Sequence, residues 1–147
     1  MGNAGVAALT VASGLAGSVQ VAVMGRFGDR IGVIEAVAFA AVVTAALAFV
    51  ALLVVARSAG GYVQALHQPA WLWSGGLWGA IVVFTITLAA PRIGTFATVG
   101  LFLAGQLAMA VVIDRFGLFG LERFPLHTAR VIGVALVALG AVLALRR

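Results

Sequence analysis

Residues 85–120 read TITLAAPRIGTFATVGLFLAGQLAMAVVIDRFGLFG. One apolar run ends at Ala90, a Pro91-Arg92-Ile93-Gly94 corner follows, and a second run continues from Thr95 to Ile113. Gln106 sits near the middle of that second run, which closes on Asp114-Arg115-Phe116-Gly117. About twenty apolar residues suffice to cross a bilayer as a helix. A run of that length, with one amide at mid-depth and charge only at its end, fits a passage through hydrocarbon better than a water-soluble core.

Composition extends this reading to the whole chain. Of 147 residues, 64% are hydrophobic and 9% charged, with a mean hydropathy of +1.21. A soluble domain is about 25% charged, so this chain lacks the polar surface to face water and reads as an integral membrane protein. Nine arginines, no lysine and four acids give a net charge of +5. The arginines stand mostly singly at the ends of apolar runs and form no basic face, so they read as interfacial anchors and not as a nucleic-acid surface. The chain has no cysteine, which rules out disulfides and thiolate metal sites, and His67 and His127 are isolated. No cofactor or metal is expected.

Five segments are long enough to span: about 5–24, 33–56, 71–90, 95–113 and 128–145, the last with least to spare. Lipid offers no hydrogen-bond partners, and period-2 alternation is absent, so each is expected to be helical. The expectation is a single all-α transmembrane domain over residues 1–147. The first run is too long for a signal-peptide core and reads as a retained span. Connections are expected at Gly25–Gly32, Arg57–Ala70, Pro91–Gly94 and Asp114–His127. The segment 116–125 mixes rings with charges and reads as an interfacial loop or short surface helix, and Tyr62, Trp71 and Trp73 read as an aromatic belt. Small residues four apart suggest close packing at Ser13/Gly17, Gly14/Ser18, Gly75/Gly79, Gly100/Ala104 and Gly140/Ala144, and along Ala36, Ala40, Thr44 and Ala48.

Alternation through five spans puts Arg26, Arg30, Arg92, Arg146 and Arg147 on one side and Arg57, Arg115, Arg123 and Arg130 on the other. That is almost no positive-inside bias, as expected for a chain that inserts both ways or is oriented by a partner.

The polar residues inside the spans are the candidate functional groups. An unpaired amide in hydrocarbon costs several kcal/mol, so Gln20 and Gln106 should face another helix or a water-filled cavity. Trp78 lies deeper than the belt, near one face with Trp71, Ser74 and Thr85, and could stack on a planar or cationic substrate or simply pack a helix. Glu35 is the one acid inside a span: either a proton or cation site, or a first-turn acid favouring its helix N-terminus. Pro91, Arg92, Gly94, Asp114 and Arg115 read as structural or gating residues. No nucleophile triad, phosphate loop or zinc-protease pattern is present, so an enzyme is not expected.

Residues 20–32 (QVAVMGRFGDRIG), Pro91-Arg92-Ile93-Gly94, Ala104-Gly105-Gln106-Leu107 and Ile113-Asp114-Arg115-Phe116-Gly117, taken in that order, resemble the small five-helix branch of the drug/metabolite transporter superfamily, the YdcZ-like inner-membrane exporters of bacteria. The resemblance covers nearly the whole chain. It implies export of a small metabolite or drug-like molecule by a ten-helix carrier made of two inverted five-helix halves. An odd number of spans makes the second half insert in the opposite direction. The implied partners are the lipid bilayer, the substrate, and a second copy of the chain or a homologous five-helix chain, with no nucleic acid. The alternative is a non-transporting subunit that stabilises a partner membrane protein. One departure bears on this choice: family members usually carry asparagine four residues after the first-helix glutamine, and Met24 stands there.

Overall fold

A computed structural model describes residues 2–56, 60–125 and 127–145. Arg57, Arg146 and Arg147, which enter the arginine count above, lie outside the described residues. Every regular element among the described residues is helical. The helices are α1 (Asn3–Ile31), α2 (Val33–Ala51, continued by a wider π-type turn over Leu52–Ala56), α3 (Gly60–Leu66), α4 (Ser74–Ile93, preceded by a 3-10 turn over Ala70–Trp73), α5 (Thr95–Phe116) and α6 (Thr128–Ala144).

Four stretches are long and apolar enough to cross a membrane: Asn3–Ile31, Val33–Val55, Ala70–Ile93 and Thr95–Phe116. The fifth expected segment forms a helix, α6, but its 17 residues rise only about 26 Å at 1.5 Å each, short of a hydrocarbon core of about 30 Å.

The connections are tighter than the sequence suggests. Residues 25–31 and 91–93, expected in connections, are helical, leaving Gly32 and Gly94 as one-residue breaks. Pro91 lies inside α4. Proline removes the donor that the carbonyl four residues back would use, yet here it does so in the last turn, where little helix remains to be disrupted. Gly32 has φ 102 and ψ 147, and Gly94 has φ 86 and ψ 155. That backbone region is essentially open to glycine alone. Hydrogen bonding runs through both breaks: the Gly32 N–H donates to the Gly28 carbonyl and its own carbonyl accepts from Ala36, while Gly94 is bonded in the same way to Ala90 and Thr98. Each glycine therefore ends one helix and starts the next. At both, the preceding residues are arginine and isoleucine, Arg30-Ile31 and Arg92-Ile93.

The described residues divide into two compact units, 1–22 with 89–147, and 23–88. Within the second unit, the Phe27 and Phe39 rings meet edge to face with centroids 5.7 Å apart. Twelve residues of continuous helix would separate them by about 18 Å, so the chain doubles back at Gly32. Gly28 packs against Thr87, which is fully buried and whose hydroxyl donates to the Val83 carbonyl at 2.6 Å. A β-carbon at Gly28 would stand 2.6 Å from the Thr87 Cγ2. Met24, Gly25, Ala36 and Ile86 are also buried in this unit. Phe49 and Tyr62 have ring centroids 5.3 Å apart, and the Trp73 indole donates to the Ala65 carbonyl.

In the first unit, α5 crosses α6 where Gly100 faces Ala141, its virtual β-carbon 3.4 Å from the Ala141 backbone. Of the paired small residues expected to pack, Gly100 does so, but its counterpart on α6 is Ala141 and not Gly140, which is exposed. Gly14, Gly17, Gly75 and Gly79 have nothing within 4 Å of a would-be β-carbon. On α2, Ala36 is buried while Thr44 and Ala48 are exposed. The chain leaves most small-residue stripes, and most large apolar side chains, facing outward: no more than 11% of the apolar 18-residue window in any of the four spans is buried inside the chain.

Candidate functional site

Hydroxyls and amides solve the problem of crossing hydrocarbon differently in this chain. Thr10, Ser13, Ser18, Thr85, Thr87 and Thr98 each donate to the carbonyl four residues earlier in the chain. A short β-hydroxyl reaches that carbonyl and so is satisfied wherever its helix faces. Glutamine cannot be satisfied in this way, since its amide offers two donors and an acceptor. Gln20 on α1 and Gln106 on α5 are exposed, and neither amide makes a hydrogen bond among the described residues. Both belong to the first unit, and they are not bonded to each other.

Trp78 and Glu35 belong to the second unit. Trp78 is 62% exposed on α4. Glu35 occupies the third position of α2, and its carboxylate folds back over Gly32, so that a β-carbon on Gly32 would collide with Oε2. It makes no capping hydrogen bond there, but a carboxylate held over the first turn lies at the positive dipole end of its helix. Met24, in the position of the family asparagine, is 6% exposed, so an apolar side chain fills a buried place there.

Pro91, Arg92 and Gly94 flank the α4–α5 break already described. Asp114 and Arg115 lie at the other end of α5, in a corner with more internal structure than sequence spacing suggests. Gly117 ends the helix in the left-handed conformation, φ 62, and its N–H donates to the Ile113 carbonyl. The Asp114 carbonyl accepts from the Phe124 N–H at 3.0 Å, and the Asp114 carboxylate pairs with Arg130 at 3.1 Å. Arg130 also lies over the Phe124 ring, 5.8 Å from its centroid. Both ionic partners are close to half exposed, so the pair contributes under about 1 kcal/mol and serves mainly to fix geometry. A cavity of about 420 Å³ opens beside this frame, lined by Arg115, Phe116, Arg123, Phe124 and Pro125. The interfacial reading of 116–125 takes the form of a 3-10 turn, Leu118–Gly120, followed by extended chain.

Sequence reasoning missed three features: the Gly28–Thr87 contact, the shared conformation of the two Arg-Ile-Gly breaks, and the seating of Phe124 in the α5 corner. Only the second had a sequence signal, the repeated tripeptide.

A profile of the family described as "Putative inner membrane exporter, YdcZ" matches residues 5–143, from the first turn of α1 to the last turn of α6. The chain belongs to this family. No curated protein and no solved structure gives a match. The family description names export from the inner membrane, a non-enzymatic activity, and the four apolar stretches are those of a multi-pass membrane protein. Membership in the YdcZ family therefore explains the long outward-facing apolar helices.

Proposed function

We propose that the chain is a single transmembrane domain forming one half of a dimeric carrier in a bacterial inner membrane, exporting a small metabolite or drug-like molecule by alternating access. The observation that carries this reading is the pair of exposed, unbonded amides, Gln20 and Gln106. In lipid each would forfeit several kcal/mol. A cavity completed by a second copy or a homologous chain, inserted in the opposite direction, gives both amides water or substrate to bond. The outward-facing small residues of α1 and α4 supply surfaces on which two halves can approach closely and rock. Inversion requires an odd number of spans, so α6 is the fifth, with local bilayer thinning accommodating its short length. Trp78 is a further candidate for contact with the substrate and Glu35 is the candidate proton or cation site.

A second reading, an accessory subunit without transport of its own, draws on buried Met24. An apolar side chain there removes whatever the family asparagine contributes, unless a non-identical partner supplies it.

The two readings part in a vesicle experiment. Vesicles holding the chain with its partner, loaded with a broad metabolite panel, should release at least one component. Gln106→Leu should slow that release roughly tenfold, the scale of one lost hydrogen bond. Release of nothing from the panel, or a Gln106→Leu rate equal to that of the parent chain, counts for the accessory subunit. In the same assay, coupled proton flux left unchanged by Glu35→Gln removes Glu35 from the mechanism.

A further inference from the structure

The corner at the end of α5 carries two cations that the transport reading does not use. Arg115 and Arg123 both line the cavity of about 420 Å³, and neither makes an ion pair or hydrogen bond among the described residues. Asp114 is already engaged with Arg130, and Glu122 does not line the cavity. The cavity thus has net positive charge with no internal counter-ion.

Its geometry is held from several directions. Gly117 has no β-carbon, and one placed there would stand 2.7 Å from the Arg123 Cγ and 2.9 Å from the Leu121 carbonyl. The aliphatic stem of Arg123 therefore lies across the helix end in space that only glycine leaves open. Phe124 is pinned by its N–H bond to the Asp114 carbonyl and by Arg130 over its ring. Phe116, Phe124 and Pro125 give the cavity an apolar wall beside the two guanidinium groups. Arg115 extends from the last turn of a span, Thr95–Phe116, which sets the cavity at the level where hydrocarbon gives way to headgroups.

We propose that this cavity binds a phosphate ester anion, with Arg115 and Arg123 bonding the phosphate oxygens and Phe116, Phe124 and Pro125 receiving the apolar remainder. Guanidinium groups match phosphate oxygens in geometry and are the least costly cations to desolvate. The headgroup of an anionic phospholipid presents that chemistry at this depth, and a soluble phosphate ester presents it from water. The proposal is independent of whether the chain transports anything.

The test uses the intact chain in a neutral detergent, equilibrated with phosphatidylglycerol or phosphatidylcholine and examined by native mass spectrometry. Two arginines at a membrane surface should favour phosphatidylglycerol over phosphatidylcholine by about thirtyfold. The Arg115→Gln/Arg123→Gln variant should lose that preference, and Arg115→Lys/Arg123→Lys should keep a reduced one. The lysine variant and the parent chain decide the matter if the glutamine variant does not fold. Glycerol 1-phosphate, added without lipid, separates the sources: arginine-dependent binding of it assigns the site to a soluble ester, and its failure beside a lipid preference assigns the site to a headgroup. Equal retention of the two lipids with no binding of glycerol 1-phosphate overturns the proposal. So does a phosphatidylglycerol preference that falls as far in Arg26→Gln/Arg30→Gln, because that would be general surface charge.

Discussion

Gly94→Ala should lower the stability of the folded chain by about 1–3 kcal/mol, although the added methyl touches nothing. A β-carbon at Gly94 has no neighbour within 4 Å, so the whole cost is backbone: φ 86 with ψ 155 is a conformation that L residues occupy only under strain of that size. Gly32→Ala should cost about as much. It has the same backbone problem, φ 102 with ψ 147, while the carboxylate its methyl would meet is the far end of the flexible, exposed Glu35 side chain and can swing aside. Adding Glu35→Ala should therefore recover little, and the double variant should stay at the level of Gly94→Ala. Gly14→Ala is the control, since it sits mid-helix in open space and should stabilise by up to about 1 kcal/mol. Thermal unfolding in a mild detergent measures all four. A Gly94→Ala protein as stable as Gly14→Ala would show that the break at 94 does not need glycine.

Gly28→Ala should destabilise by about 1–3 kcal/mol, for a steric reason. Its backbone is ordinary helix, but the new methyl would stand 2.6 Å from the Thr87 Cγ2. Thr87 has little room to yield: it is fully buried and its hydroxyl is bonded to Val83, and a β-branched side chain has few helical rotamers. Thr87→Ser removes the offending methyl and keeps the hydroxyl. Alone it should cost about 1 kcal/mol for the lost methyl contact. Combined with Gly28→Ala it should cost less than the sum of the two, with a coupling of at least about 1 kcal/mol. Additive losses in this double-mutant cycle would mean that α1 and α4 do not meet at Gly28.

The sequence made the membrane class and the helices legible because both follow from composition and run length, which are local. Residues 95–113 were expected to be helical from their apolar length, and α5 covers them. Two boundaries were set too early for a physical reason. Arg26, Asp29 and Arg30 look like a loop because they are charged, yet a helix can continue into the headgroups once it has left hydrocarbon, and α1 runs on for 29 residues. Likewise Pro91 looks like a corner, but near a helix C-terminus it removes only a bond that the end of the helix would soon lose. Long-range pairings such as Gly28 with Thr87, or Gly100 with Ala141, left no trace in the spacing. Gly14 and the Gly75/Gly79 pair show the converse, since a β-carbon at any of them would meet nothing within 4 Å among the described residues. The polar candidates were legible as residue types, because amides are rare and costly in hydrocarbon. What each amide bonds to was not, because neither finds a partner among the described residues, and the proposed half-carrier supplies one only from a second chain or a substrate.

The measurement that bears most directly on the account is the water accessibility of position 106 in the assembled membrane protein. The chain has no cysteine, so Gln106→Cys introduces the sole thiol, and Leu101→Cys provides a comparison about 140° round the same helix. Leu101 is exposed and lies nearer the Gly94 end of α5, so simple depth would favour its labelling. If Gln106 faces a cavity completed by a second chain, a charged, water-soluble thiol reagent should modify the Gln106→Cys protein and leave the Leu101→Cys protein untouched. Labelling of the Leu101→Cys protein beside an inert Gln106→Cys protein would place the amide against lipid or packed helix, and the half-carrier reading would fail.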